Sequence, residues 1–263
     1  MHLWSPFAKQ KWYLITTLDD HSRRMLYGDL WEKETSWAHI VALKAVVMQF
    51  GCPLKYYVDN HAIFRFIERR DTFRHKAMKT EADAVVQWKE VLKDLGIEPV
   101  YALSPAAKGK IERPYRWLQD HLVRTCAREK VTEIEEARKI LYEELYQYNY
   151  KRVHSTTKEI PDMRYRNAIE MKKTLFRPFK IKWPHEKFED VFCYRAKRVV
   201  NAYRKISLSN LEFSVSGVPL HREVELRISF DLKSQLATIR FWYDSRLVGE
   251  QQAKAEDLKR VQF

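Results

Sequence analysis

Two apolar runs, Trp12 to Leu18 and Met25 to Trp31, flank the polar stretch "DDHSRR", and this pattern predicts a β-hairpin. The period of the apolar positions then changes. Ile40, Leu43, Val46 or Val47 and Phe50 recur at helical spacing in "ETSWAHIVALKAVVMQFG", which stops at Gly51, a residue common just past a helix end. "PLKYYVD" reads as a short strand ending in Asp59, "DAVVQWKEVLKDLG" as a second amphipathic helix closed by Gly96, and "EPVYALS" as another strand. Strand and helix in alternation predict an α/β layer with a partly parallel sheet. Further on, Tyr115, Leu118, Leu122 and Cys126 keep one helical face. Pro114 is tolerated in a first turn, which sets the start of that helix close to Glu112. Ile134, Ala137, Leu141, Leu145 and Tyr148 predict one more helix.

Residues 164–205 carry 13 Lys or Arg against 4 Asp or Glu, and Pro178 and Pro184 interrupt any long helix, so the stretch reads as a basic linker. Beyond it, Val224, Leu226, Ile228 and Phe230 alternate with polar residues, as do Ile239, Phe241 and Tyr243. With Ser216-Gly217 and Asp244-Ser245 as turns, these short strands predict a small β-barrel. The chain shows no internal repeat and no low-complexity tract.

Charge narrows the class. The 263 residues hold 48 Lys or Arg and 35 Asp or Glu, a formal net charge of +13, so the natural partner is a polyanion. No apolar run approaches the roughly 20 residues that span a bilayer, and the first residues do not read as a signal peptide. Cys52, Cys126 and Cys193 lie far apart without zinc-ligand spacing and read as reduced thiols of a cytoplasmic protein. The histidines form no recognisable ligand cluster.

Candidate chemistry lies at strand ends and at the helix starts beside them, where α/β sheets gather functional groups. Asp59 ends one predicted strand and Glu112 opens the helix after the next. Two carboxylates suit Mg²⁺, which completes its octahedron with waters and substrate phosphates. A metal pair of that kind supports phosphodiester chemistry, with Lys108, Lys110 and Arg113 holding the DNA backbone. Taken singly, each acid also has an ordinary explanation: Asp59 as a turn cap with Asn60, and Glu112 as compensation for the helix dipole. Asn149, Arg152 and His154 fit a polar helix-end cluster as well as DNA contact. Trp88, Trp117 and Tyr115 fit a core.

"YYVDNHAIF" followed by "SPAAKGKIERPYRWLQDHL" resembles the integrase core of the DDE transposases, the insertion-sequence and retroviral-integrase superfamily with an RNase H-like fold. "YLITTLDDHSRRMLYG" is similar to that core's second and third strands, "YNYKRVHSTTKEIPDMRYRNA" to the segment that follows it in bacterial transposases, and "DVFCYRAKRVVNAYRKISLSNLEFSV" to their C-terminal region. The resemblance implies that Asp59 and Glu112 are the second and third metal-binding acids, holding Mg²⁺ or Mn²⁺. The 52 residues between them exceed the retroviral spacing, and the surplus falls in "RFIERRDTFRHKAMKTEAD", read as an insertion. The family's first acid sits on an opening strand that this sequence mostly lacks. Asp19 and Asp20 match the hairpin turn rather than that catalytic position.

The resulting expectation is an α/β, RNase H-like integrase core with its first strand missing, followed by helices, a basic linker and a small C-terminal β-barrel. The boundaries are 1–130 for the core, 131–175 for the helical extension, 176–205 for the linker and 206–263 for the barrel. The expected function is metal-dependent DNA strand transfer. The alternative is a truncated, catalytically dead transposase that acts only as a DNA-binding protein. DNA, both element ends and target, is the implied partner, with homo-oligomerisation on it and no membrane. Lys108, Lys110, Arg113, Arg116, Arg152, Lys197 and Arg198 are the implied DNA contacts.

Overall fold

The computed structural model describes residues 3–58, 87–101 and 105–258, with no side chains described for 105–109 and 111. Contacts divide the chain into two units. The first comprises Met1–Glu34, Ala42–Asp59 and Val100–Pro178, and the second Thr35–Val41, Asn60–Pro99 and Phe179–Phe263.

In the first unit the predicted hairpin forms. β1 (Tyr13–Leu18) and β2 (Met25–Trp31) run antiparallel, with Tyr13 opposite Trp31 and an irregularity between Thr17 and Leu18. Helix α1 (Ser36–Phe50) contributes Ala42–Phe50 to this unit and ends at Gly51, whose φ of 92° is the left-handed conformation a glycine adopts freely. β3 (Lys55–Val58) pairs with β4 (Glu98–Tyr101), whose last two residues belong here. Three helices follow: α3 (Pro105–Arg128), α4 (Ile134–Tyr150) and α5 (Pro161–Glu170).

The core of this unit lies between the hairpin and the α3–α4 pair. Leu118, Leu122 and Cys126 of α3 meet Ala137, Leu141 and Tyr148 of α4 against Trp12, Met25 and Leu30 of the hairpin. Leu118, Leu122 and Leu141 are fully buried, and each leucine so placed contributes about 1.5–3 kcal/mol. Burial pushes the Cys126 thiol up to about 11, so it stays a neutral, inert apolar group. Gly28 of β2 faces this packing closely: a β-carbon there would stand 2.7 Å from Leu145 Cδ1.

One sequence expectation is corrected here. Helix α3 does not begin near Glu112; it begins at Pro105, so Glu112 falls in its interior and Pro114 stands inside the helix. Pro114 has no N–H to give the Lys110 carbonyl, a defect worth about 3 kcal/mol in an isolated helix. Tertiary packing offsets it. Tyr115 donates its hydroxyl to Leu14 O at 3.0 Å, and the buried Leu118, Leu122 and Cys126 hold the segment beyond the proline.

The second unit is mainly antiparallel β. Its four-stranded sheet has the order β10 (Arg246–Lys254), β9 (Leu236–Tyr243), β8 (Glu223–Asp231) and β5 (Tyr194–Val199). β6 (Lys205–Leu208) and β7 (Leu211–Ser214) form a separate hairpin. Asp244 and Ser245, with φ of 46° and 61°, make the two-residue turn that joins β9 to β10, the mirror-image turn whose twist suits a hairpin. The expected barrel does not close among the described strands, because β10 and β5 remain the two edges of an open sheet. The expected linker is also partly structured: α6 (Phe188–Val191) and β5 both lie within 176–205, and one of its cations, Arg195, pairs with Asp94 within this unit.

Helix α2 (Gln87–Leu95) belongs to the same unit and guards an edge. Its Gln87 side chain donates to Arg195 O at 2.9 Å and accepts from Arg195 N at 2.7 Å, satisfying backbone groups that edge strand β5 would otherwise leave open.

Candidate metal and nucleic-acid site

Glu112 is exposed on α3 and makes no hydrogen bond or ion pair among the described residues. The sequence surrounds it with cations, yet those whose side chains are described turn elsewhere. Lys110 Nζ binds both carboxylate oxygens of Asp20, at 2.8 and 3.0 Å. Arg113 donates to Thr156 Oγ1 at 2.6 Å. Lys108 lies on α3 without a described side chain, and Asp59, the other expected metal ligand, lies outside the described residues, as does the expected insertion. Among the described residues, no three His, Cys, Asp or Glu side chains cluster as a metal site. Glu112 presents a hard oxygen donor of the kind Mg²⁺ accepts, unpaired among the described residues.

The β1–β2 turn that Lys110 reaches is gripped by several elements. Asp19 accepts from Ser22 N at 2.7 Å and Ser22 Oγ at 2.5 Å, closing the turn on itself. Arg164 of α5 donates to His21 O at 3.0 Å. Arg24 is enclosed: its guanidinium pairs with the buried Asp162 at 3.1 Å, donates to Tyr150 Oη at 2.9 Å and lies 5.0 to 5.6 Å from the ring centres of Tyr165, Phe50 and Tyr150. Asn149 completes the grip by exchanging hydrogen bonds with Met25 N and O, both 2.9 Å. The stretch "YNYKRVHSTTKEIPDMRYRNA" is therefore the clamp of the β1–β2 turn. Sequence reading noticed the stretch and missed Arg24 and Asp162, for which no periodic pattern gives a signal.

Arg152 stacks on Trp117 with 4.9 Å from guanidinium carbon to ring centre. Beside it, His154 is buried and accepts long hydrogen bonds from Thr156 N and Thr157 N at Nδ1, 3.3 and 3.4 Å. Burial, then the guanidiniums of Arg23, Arg113 and Arg152, hold this imidazole below its ordinary range, so it stays neutral and keeps its acceptor nitrogen. Arg116 is exposed on α3.

The last two expected DNA contacts are on β5 of the second unit. Lys197 pairs with Glu223 at 2.7 Å, which raises its pKa, and Arg198 donates to Ser207 O at 2.9 Å. Neither residue lies in the same unit as Glu112.

No family model matches this sequence. The chain is 25% identical over 201 residues to y4bF of Sinorhizobium fredii, a protein that carries a transposase name; the match covers 76% of this chain and 39% of that protein. It is 27% identical over 172 residues to the transposase for insertion sequence IS1202 of Streptococcus pneumoniae, covering 64% of this chain and 35% of that protein. The chain thus spans under two-fifths of the length of either relative. Among solved structures, the HTLV-2 integrase catalytic core domain matches at 17% identity and a TM-score of 0.43, over 59% of this chain and 85% of that one. The BIV integrase catalytic core domain matches at 18% and 0.39, over 62% and 97%. By sequence, this chain is similar to two bacterial proteins that carry transposase names, one of them the transposase of an insertion sequence.

Proposed function

We propose that the chain is the catalytic and DNA-gripping part of a DDE-type transposase, a polynucleotidyl transferase that joins DNA strands by metal-dependent strand transfer. The single observation that carries the reading is Glu112. It is an exposed carboxylate, unpaired among the described residues although it is flanked by basic ones, in a chain whose curated relatives carry transposase names. In this reading the first unit is an RNase H-like core, and Asp59 and Glu112 hold Mg²⁺ or Mn²⁺. The metal, when bound, activates the attacking oxygen and stabilises the leaving one. The chain's own residues position the DNA. Lys108, Lys110, Arg113, Arg116 and Arg152 hold backbone phosphates near Glu112, and Lys197 and Arg198 contact DNA from the second unit. Phosphate contacts of this kind fix register without reading sequence. The chain acts as a homo-oligomer on element-end and target DNA, in the cytoplasm of a bacterium. Among the described residues no helix is long and apolar enough to cross a membrane.

The test is strand transfer on labelled element-end DNA with Mg²⁺ or Mn²⁺, using this chain and a version extended upstream, each with and without Glu112→Gln. The substitution is expected to abolish product in whichever version is active. Normal strand transfer by an active Glu112→Gln protein would end the assignment. Activity confined to the extended version would assign the first metal-binding acid to the upstream segment. If neither unsubstituted version is active, the DNA-binding alternative takes the place of the enzyme.

A further inference from the structure

Asp20 occupies an unusual place for an acidic residue in a chain of net charge +13. Its carboxylate is just over half exposed, at 57%, yet two cations from different elements converge on the same oxygen. Arg23 Nη1 reaches Oδ1 at 3.1 Å from within the turn, and Lys110 Nζ reaches it at 2.8 Å from α3. The framework that holds these cations does not depend on Asp20. The turn is fixed by Asp19 with Ser22, by Arg164 on His21 O and by the enclosed Arg24. Lys110 is carried by a helix whose later turns are anchored in the core. A pair of cations sharing one oxygen, one of them Lys110, two residues before Glu112 on α3, presents the donor arrangement that a phosphate oxygen accepts.

We infer that Arg23 and Lys110 form a single seat for a DNA backbone phosphate, and that the Asp20 carboxylate fills this seat in the free protein until DNA displaces it. The inference rests on the DNA-binding reading above and adds to it a residue, Arg23, and an internal competitor. Displacement is easy, because an ion pair open to water is only weakly held. The competitor has two effects. It keeps Lys110 directed away from Glu112 in the absence of DNA, and it lowers affinity for phosphates that cannot replace both of its contacts.

The experiment measures affinity of the full chain for a short mixed-sequence DNA duplex across a salt series. It uses the unsubstituted protein, Asp20→Asn, Lys110→Gln, Arg23→Gln, the double variants of each with Asp20→Asn, and Asp120→Asn as a control. Asp120 is an exposed carboxylate on the same helix, paired with Arg124 at 2.7 Å, so its neutralisation reports general charge alone. Asp20→Asn is expected to tighten binding about tenfold at about 50 mM salt, because the phosphate no longer has to displace a carboxylate from the same seat. In the Lys110→Gln or Arg23→Gln background the same substitution is expected to gain no more than Asp120→Asn gains. An equal gain from Asp20→Asn in all backgrounds, or a gain no larger than the control's, overturns the seat while leaving DNA binding intact. Absence of salt-dependent DNA binding in every variant overturns both. A matching thermal melt for each variant excludes misfolding as the cause.

Discussion

Arg240 with Asp190 and Lys110 with Asp20 are chemically alike pairs that the two units treat in opposite ways. In the second unit, Arg240 Nη1 meets Asp190 Oδ2 at 2.5 Å, with the two side chains 2% and 0% exposed. In the first, the Lys110–Asp20 pair has side chains 52% and 57% exposed. The buried pair sits in a network. Arg227 and Arg240 stand directly opposite each other on β8 and β9, an unfavourable like-charge pairing if left alone. Asp190 O and Asp94 take up Arg227, Asp94 also binds Arg195 at 2.6 Å, and Glu250 meets Arg240 at 3.2 Å. Charges so enclosed cannot exchange partners without leaving a bare ion in a poorly solvated place. The exposed Lys110–Asp20 pair can, because water takes over whichever partner leaves. Basic residues in this chain thus divide into those consumed by the fold and those available to a polyanion, and exposure draws the line. Net charge alone overstates the second group.

The largest effect expected from that contrast is at Asp190. Replacing it with Ala leaves the buried Arg240 with Glu250 alone and should destabilise the second unit by about 3–5 kcal/mol, read from urea denaturation. Replacing Asp190 and Arg240 together with Leu and Met should recover most of this loss. If the single substitution is nearly neutral, the buried pair is not the fixed element described here.

A smaller effect should follow pH. His185 is held below its ordinary range by burial and then by Arg227, against the opposing pull of Asp94 and Asp190; His154 is held down by burial and the three nearby arginines. A histidine whose folded-state pKa is depressed binds fewer protons folded than unfolded. Its stabilising contribution is therefore complete above about 6.5 and is lost as pH falls through the folded value. Denaturation midpoints should decline below neutrality, and His185→Gln and His154→Gln should each flatten part of that decline. A midpoint that rises on acidification would reverse the sign argued from these environments.

The smallest effect is expected at the exposed pair. Lys110→Gln should change stability by less than about 1 kcal/mol by the same denaturation assay, leaving its consequence to DNA affinity. A loss comparable to that of Asp190→Ala would mean that the hairpin-turn pair is a structural strut, and the two regions would no longer differ.

Much of the backbone was legible in the sequence because single elements declare themselves locally. The alternating runs of β1 and β2, the glycines at 51 and 96, the helical faces of α3 and α4 and the two-residue turn at Asp244-Ser245 each reflect a conformational preference of a few neighbouring residues. Pro114 was misread for the same reason: its local preference is to begin a helix, and only contacts between distant segments, such as Tyr115 with Leu14, let the helix run through it. Arg227 and Arg240 occupy polar positions in the alternating patterns of β8 and β9, yet both are buried, at 8% and 2%.

By itself, then, the sequence determined the order and type of the elements from β1 to α4, the basic character of the chain, and the acids and cations proposed as its DNA-processing site. Tertiary structure decided which of those charges remain free. Lys110 turns to Asp20, Arg113 to Thr156 and Arg24 to Asp162, while Glu112 stays unpaired among the described residues. The physical reason is that helix and strand preference act over a few residues, whereas the partner of a charge is set by whichever distant segment folding brings within about 3 Å of it.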